Sequence, residues 1–539
     1  MLKWAVLITL GAGQFIMVLD STVMNVSIQR VIGDLHTTVS KVQLAIATYT
    51  MTTAALLLIG GKVGDIIGRR RAFRIGLVAF GIGAGVTALA QSMGILIGGW
   101  SILEAVGAAL MIPAILALIA ANYEGPDRVV GYGVIGGISG AAAAAGPIVG
   151  GWVATIGSWR DVFAGEAVIV VVLLLLTRVI RDAPLGRDRP HLDVVGGLLS
   201  ASGLALAVLG VVESSTWGWI DPKGDLTVAG VAVTPFGLSA VPFLIVAGCG
   251  LIVAFVLWER RVVARRKDPL VQLSMMRLPQ MRAGLSTMAV MMLCLGGMFF
   301  VLPLYLQIVL GKNPLQTGVA VLPLSLAVFF VAGGAARLST RVAPRLLIQT
   351  GLILVAAGSV LLLTVIAPTF GDLRFTGSVL VIGIGLGLVA SQVTNVNLAS
   401  AGPAETSEVG ALQGTARNLG SALGTAIVGS LLLGTLTTTF DHRVERNSAL
   451  PAIVRSQVAG RTKRGLVFVP APVAAAAIRG RGVPEPVVRR LKAAYSSSQV
   501  DAIKIAVGGV AVFALLGCGV TRRLPARPVD APPVAVASA

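Results

Sequence analysis

The sequence predicts an all-α polytopic membrane protein with fourteen transmembrane helices, and three observations lead there. Apolar residues fill 55% of the 539 positions, and mean hydropathy is +0.88. They fall in runs of about 18–25, each long enough as a helix to cross the roughly 30 Å hydrocarbon core of a bilayer. Charged residues are only 12% of the chain and gather between those runs. Barrel strands would instead show ~10-residue stretches of alternating hydropathy, and none is visible.

Candidate spans lie at about 4–27, 41–60, 74–91, 95–120, 130–152, 163–180, 194–212, 238–258, 285–309, 317–336, 346–366, 376–399, 408–434 and 501–520. The first carries Asp20 and is followed by no A-x-A-like cleavage site, so it reads as a retained helix rather than a signal peptide. An even number of spans puts both termini on one side. The basic residues then orient the chain, because Lys and Arg concentrate in short cytoplasmic loops. The side of Gly61–Phe73, GKVGDIIGRRRAF, carries 24 of them. The short loops opposite carry six: Arg30, Lys41, Arg160, Lys223, Lys312 and Arg374. The turn and both termini are therefore expected in the cytoplasm. This placement also accounts for the net charge of +19, which in a soluble chain would suggest nucleic acid; no nucleic-acid partner is expected.

One opposite loop, 435–499, carries eleven Lys and Arg. Loops longer than about 60 residues translocate regardless of charge, so the orientation stands. The end of this loop, PEPVVRRLKAAY, reads as a short amphipathic helix with Val487, Leu491 and Ala494 on one face. It is either a solvated cap or a platform for anionic lipid or a partner.

Spans seven and eight lie between the basic segments RDAPLGRDRPHLD and ERRVVARRKDP, with six spans before and six after. The chain thus divides into an N-terminal six-helix bundle at 1–180 and a linker with two extra spans at 181–284. A C-terminal six-helix bundle follows at 285–539, including the long outer loop 435–499. Paired bundles of this kind make one large class of secondary transporters. Cys249, Cys294 and Cys518 share no spacing pattern and read as small buried residues. His36, His191 and His442 lie far apart in loops, and there is no G-x-x-x-x-G-K-[ST] run. No metal, cofactor or nucleotide site is expected, and the chain reads as no enzyme. The preponderance of Arg (34) over Lys (nine) suggests a high-GC bacterial genome.

Three stretches carry a resemblance. In GKVGDIIGRRRAF, Gly61, Asp65, Gly68, Arg69 and Arg70 match the loop signature of the major facilitator superfamily between helices two and three, with Ile66 in place of the usual arginine. Glycines permit the turn, Asp65 can cap the next helix or pair with a cation on the opposite bundle, and the arginines anchor at the anionic inner surface. The cluster is either a latch for a conformational state or a simple orienting device. On span five, Gly146, Pro147, Gly150 and Gly151 resemble the antiporter motif of the superfamily; small residues let helices approach closely, and proline breaks the helical ladder. The first span, LDSTVMNVSIQRVIGDL, resembles the corresponding motif of the fourteen-helix drug:proton antiporters at Asp20, Thr22, Val23, Asn25 and Val26, with Gln29 where that family has proline. Trp159-Arg160-x-x-Phe163, LPLYLQIVLGKNPLQTGVAVLP and VGALQGTARNLGSALGTAI extend the resemblance over nearly the whole chain.

The resemblance implies a major facilitator fold and export by proton exchange, and the residues refine it. Asp20 lies about 24 Å along the helix from Trp4, inside the bilayer, where a carboxylate by default marks an ion or proton pathway; otherwise Ser21, Thr22 or Asn25 satisfies it. On span four the family's arginine, implicated in proton relay, is Ser101, and its glutamine is Glu104. Glu104 is expected to face the central cavity, either as a protonatable site, because burial without a cation favours the neutral acid, or as a counter-ion for cationic substrate. Glu166 stands where the family has asparagine and reads as a structural or rim residue. Arg417 pairs either with an acid across the bundle or with Glu408. Asn25, Gln307, Gln392, Asn395 and Asn397 are candidate cavity residues, Gln392 and Asn395 sharing a face; a polar seam can equally be interhelical glue.

The expected function is a proton-coupled exporter of amphipathic small molecules working by alternating access, with Asp20 and Glu104 coupling. The alternative is a dedicated exporter of one metabolite or lipid with altered or weak coupling. Expected partners are the substrate, protons and membrane lipids. No cofactor and no obligatory protein partner is expected; the chain reads as a monomer in a bacterial cytoplasmic membrane.

Overall fold

The apolar runs form long helices that outrun the runs themselves, because the polar turns between them are mostly helical too. The computed structural model describes residues 2–182, 191–222, 227–228, 231–232, 234–265, 269–271, 273–335, 338, 341–367, 372–400, 406–462, 466–480 and 483–526. Arg187, Arg189, Lys223, Arg266, Lys267, Arg337 and Arg527, part of the basic complement that orients the chain, lie outside them.

In chain order the helices are α1 (Leu2–Asp34), α2 (Val39–Ile67), α3 (Arg69–Ala88), α4 (Met93–Asn122), α5 (Gly125–Ile156), α6 (Arg160–Leu176), α7 (Val194–Trp217) and α8 (Ala240–Ala264). Then come α9 (Pro279–Val309), α10 (Pro314–Ala335), α11 (Pro344–Val365), α12 (Asp372–Ala399), α13 (Thr406–Glu445), α14 (Ala452–Thr462), α15 (Ala471–Arg479) and α16 (Glu485–Val520). Among the described residues, α1–α13 and α16 are the fourteen long and apolar enough to cross a membrane. The sole strands described, β1 (Thr227–Val228) and β2 (Val231–Ala232), form a small antiparallel hairpin between α7 and α8.

Within the N-terminal half α1 packs on α5, α2 and α6 flank the α3/α4 pair, and the C-terminal half repeats the scheme with α9 on α13 and α11 on α12. The halves meet along two seams, α2 against α13 and α5 against α10. The extra pair α7/α8 is held together by a close glycine approach: a Cβ on Gly248 would lie 2.7 Å from the Gly203 carbonyl oxygen. It lies against α2 and α13, beside one seam.

The two faces of the molecule differ in how the halves meet. On the side away from the termini, Met24, Val39, Trp100 and Phe163 of the first half join the core of the second half in one apolar cluster. On the terminus side, Leu10, Phe73, Phe80, Met111 and Leu173 form a cluster of their own. The far side is further tied by Gln307 Nε2 donating to Val26 O at 2.7 Å and Gln43 Nε2 donating to Thr425 O and Ala426 O at 3.1 Å. Leu315 N donates to Thr155 Oγ1 at 3.1 Å.

Two loop expectations need correction. Gly61–Phe73 is not a loop: only Gly68 breaks the helices, at φ 100°. Asp65 neither caps α3 nor reaches the opposite bundle. It pairs with Arg69 on the next turn, while Arg69 Nη1 donates to Gly61 O at 2.9 Å. Asp182 receives the Arg70 amide at 3.1 Å, and Arg70 Nε donates to Thr177 O at 3.0 Å. The cluster thus binds α2, α3 and the end of α6 into one bundle. A residue other than glycine at φ 100° costs about 1–3 kcal/mol, and a Cβ on Gly68 would lie 2.8 Å from Asp182 Oδ2. Gly68→Ala is therefore expected to lower the melting temperature in detergent, whereas Gly85→Ala, with open space at its Cβ position, is not.

The second correction concerns 435–499. PEPVVRRLKAAY is no separate short helix but the start of the continuous α16. Val487 and Leu491 are buried in the core cluster with Ala494 beside them, and Arg489, Arg490 and Lys492 are exposed. The apolar face is spent on the protein's own core. Lys463 and Arg464 lie outside the described residues.

Candidate functional site

Three carboxyl groups meet inside the N-terminal bundle. Asp20 on α1, Glu104 on α4 and Glu166 on α6 each bring a carboxylate oxygen to within 4.8 Å of the others, at 0%, 0% and 1% exposure. Glu166 does not lie at a rim as one of its expected readings had it; it is a full member of this group. Its signal was in the sequence, a third acid within an apolar span, and its apparent depth along α6 concealed which helices it would face.

Local structure explains the convergence. Residues Ile97–Glu104 of α4 form a π-helical segment, a widened turn frequent at functional sites. It directs Trp100 Nε1 to donate to Asp20 Oδ1 at 2.8 Å, and Ser101 Oγ to donate to Ala45 O on α2 at 2.8 Å. Tyr49 stacks on Trp100 at 4.8 Å between ring centroids. Glu104 fits because α3 has glycine at 83, where a Cβ would lie 2.5 Å from Glu104 Cγ. Asp20 is not satisfied by its own helix: Ser21 Oγ donates to Val18 O at 2.9 Å, Thr22 Oγ1 to Leu19 O at 2.8 Å, and Asn25 Nδ2 to Ser21 O at 3.0 Å.

The electrostatics of this group are unbalanced. None of the three acids has an ion pair among the described residues, and Ser101, where the resemblance puts an arginine, supplies no positive charge. Two unit charges 4.8 Å apart repel by about 3 kcal/mol at an effective dielectric near 20. Three bare carboxylates cannot persist there, so the group must hold protons or another cation. Hydrogen-bond bookkeeping agrees. Thr87 Oγ1 lies 3.0 Å from Glu104 Oε1 and 2.8 Å from Gly83 O, and its single hydrogen serves one acceptor. A protonated Glu104 donating to Thr87 would satisfy both.

Glu104 therefore does not face the central cavity as expected; it points at α1, α3 and α6 of its own bundle. Other candidates also move. Gln307 is buried and spans the halves to Val26 O. Gln392, also buried, donates to Ala335 O at 3.0 Å, while Asn395 is exposed and donates to Ser391 O at 3.2 Å; the two do not share an environment. Asn397 is fully buried. Arg417 makes no ion pair among the described residues, and the Glu408 side chain lies outside them. Arg417 is exposed on α13.

The glycine motif of α5 sits at both seams of that helix. Cβ atoms on Gly146 and Gly150 would lie 1.8 Å from Thr22 Oγ1 and 2.9 Å from Val23 Cγ1 of α1, so these glycines set the register of the helix that carries Asp20. On the other face, a Cβ on Gly151 would lie 2.5 Å from Pro314 O, and one on Gly318 would lie 2.0 Å from Pro147 O. Here α5 and α10 of opposite halves touch backbone to backbone. Trp159 and Arg160 close the end of the first bundle away from the termini. Trp159 Nε1 and Arg160 Nη1 both donate to Asp34 Oδ2, at 3.0 and 3.1 Å.

Known proteins resemble the chain over most of its length. The Major Facilitator Superfamily matches residues 10–425. The puromycin resistance protein pur8 of Streptomyces alboniger is 32% identical over 466 residues, covering 85% of this chain and 87% of its own. A probable actinorhodin transporter of Streptomyces coelicolor is 31% identical over 80% of this chain and 73% of its own. Among solved structures, a bacterial homologue of the human lysosomal transporter Spinster, inward-facing and unoccupied, matches with a TM-score of 0.62 at 15% identity, covering 97% of this chain and 98% of its own. With a family match across most of its length and relatives above 30% identity, the chain belongs to the major facilitator superfamily and is a transporter of small molecules rather than an enzyme.

Proposed function

We propose that the chain is a proton-coupled exporter of amphipathic small molecules, working by alternating access in a bacterial cytoplasmic membrane with both termini in the cytoplasm. The observation that carries this reading is the buried acid group, Asp20, Glu104 and Glu166, in a bundle interior without a compensating cation. Such a group changes its proton content whenever the bundle opens it to one aqueous phase or the other, and intramembrane acids are functional by default. Substrate leaves on the far side as protons are taken up there, and the protons are released inward on return. The driving force is the proton gradient together with about 2.3 kcal/mol per net charge moved per 100 mV. Arg417 belongs to the conformational machinery, and the α5–α10 contact at Gly151 and Gly318 is the far-side gate. The Asp65–Arg69–Arg70 cluster holds the first bundle rigid as it moves. The asymmetry of Lys and Arg supports the orientation.

A specific observation favours a second reading for breadth. Relatives are named for single natural products, including puromycin, actinorhodin and tetracenomycin C, so one antibiotic-like metabolite is the substrate under that reading. The test is uptake of a fluorescent cationic dye, and separately of puromycin, into everted vesicles energised by a proton gradient. Uptake abolished by a protonophore supports proton coupling; uptake unchanged by it, with the gradient shown to be collapsed, sinks that coupling. Uptake of puromycin alone selects the dedicated exporter.

A further inference from the structure

We propose that Asp20, Glu104 and Glu166 form a binding site for a bare monovalent metal cation of sodium size. The proposal goes beyond proton coupling, since it concerns a second ion at the same three side chains. The donors are carboxylate oxygens, which select hard cations over transition metals. The oxygens divide into two sets. Asp20 Oδ1 is taken by the Trp100 indole and Glu104 Oε1 by Thr87. The other four, Asp20 Oδ2, Glu104 Oε2, Glu166 Oε1 and Glu166 Oε2, are buried without a well-formed hydrogen bond, although the Tyr49 hydroxyl lies within interaction reach of the Asp20 carboxyl. Glu166 is the telling residue: it is 1% exposed, both its oxygens are unpartnered, and it lies against the other two acids. Burial of unpaired polar atoms is costly, and here four of them share one place.

Their spacing bounds the size of the ion. Three oxygens mutually within 4.8 Å leave a central ion no more than about 2.8 Å from each. Magnesium demands near-octahedral contacts at about 2.0–2.1 Å and keeps several waters, which a site enclosed on all sides by helices does not offer. Calcium takes about 6–8 oxygens against the four left free. A dication held by three carboxylates would also be slow to leave, whereas an ion that is exchanged must be weakly enough bound to depart. A monovalent ion of sodium size fits inside this spacing and can be released, and with it bound two of the three acids stay protonated, so that no bare charge is left in the group. The Trp100 indole holds Asp20 Oδ1 and the Thr87 hydroxyl holds Glu104 Oε1, the supporting role such bonds play around metal ligands. A large organic cation is excluded by the closeness of Gly83, Thr87 and Trp100.

The test uses the full-length protein in lipid nanodiscs at fixed pH and ionic strength. Sodium chloride replaces choline chloride while heat of binding and tryptophan fluorescence are followed, with Trp100→Phe identifying the fluorescence of the indole bound to Asp20. A saturable sodium response is expected, with apparent affinity at least about tenfold weaker in Glu166→Gln, since even residues supporting metal ligands are worth that much. Glu213→Gln, at a half-buried acid on α7 away from the cluster, should leave it unchanged. A response to choline equal to that to sodium overturns the site, as does one to calcium alone or one preserved in Glu166→Gln. So does a response to protons with none to sodium, and melting curves of each variant show that loss of binding is not loss of fold. Because binding is read without transport, it stands or falls separately from protonophore sensitivity.

Discussion

Asp20→Asn is expected to abolish uphill dye accumulation in everted vesicles while leaving the protein folded. Asparagine keeps the shape of the side chain, and its carbonyl oxygen can still accept the Trp100 indole at the 2.8 Å position now held by Oδ1. What it removes is one ionisable member of a group whose charges interact at 4.8 Å or less. An interaction of about 3 kcal/mol per pair, at a factor of ten per 1.36 kcal/mol, makes the loss of coupled rate roughly hundredfold. Glu104→Gln should behave in the same way for cationic and neutral substrates alike, because Glu104 faces its own bundle rather than the cleft. If Glu104→Gln fails only with cationic substrates, Glu104 is a substrate counter-ion after all. If Asp20→Asn accumulates dye at the wild-type rate and remains sensitive to a protonophore, coupling does not run through this group.

The fold was legible from the sequence because its dominant signal is one-dimensional. Fourteen apolar runs separated by charged turns need no knowledge of packing, and the structure places helices on all of them. Helix ends were less legible. Gly61–Phe73 has the composition of a turn, yet Lys62, Asp65, Arg69 and Arg70 all sit on helices and only Gly68 departs from helical geometry. Charged residues at a membrane surface are compatible with helix, so composition marks where the bilayer ends and not where the helix does.

The site was legible residue by residue but not as a constellation. Asp20, Glu104 and Glu166 each stood out as acids in apolar runs, and the departure at Ser101 showed that a cation was missing. Depth along a helix fixes only one of two coordinates. The other, azimuth, decided that Glu166 faces α1 and α4, that Glu104 turns from the cleft, and that Gln307 reaches across to Val26. Azimuth here depends on the π-helical turn at Ile97–Glu104, which shifts everything after it by one position, and on glycines such as Gly83 and Gly146 that let neighbours approach. Neither shows in hydropathy. The Trp100 indole, which holds Asp20, and Tyr49 stacked against it gave no sign beyond being aromatic residues in apolar runs.

Gly318→Leu is expected to open the far side and stop transport. The α5–α10 seam is a contact between main chains: a Cβ at position 318 would lie 2.0 Å from Pro147 O and 2.7 Å from Pro147 C, and one at 151 would lie 2.5 Å from Pro314 O. Backbone atoms of a packed helix cannot swing aside as a flexible side chain does, so the helices must separate. Overpacking of this kind typically costs about 1–3 kcal/mol, comparable to the few kcal/mol that separate the working states of a two-state protein. The state with the far side closed therefore pays a penalty that an open state avoids. Thr155 reports it, since its hydroxyl accepts the Leu315 amide at 3.1 Å across the same seam. In a chain whose three native cysteines are serine, Thr155→Cys should react with a membrane-impermeant maleimide from the far side about tenfold faster or more once Gly318 is leucine, tenfold corresponding to about 1.4 kcal/mol. Uphill dye transport should be lost in the same variant. Gly333→Leu, on the same helix with open space at its Cβ position, should change neither the labelling nor the transport. Equal labelling in the Gly318→Leu and Gly333→Leu chains would mean that the α5–α10 contact is not the far-side gate, and that closure rests instead on Gln43 at the α2–α13 seam.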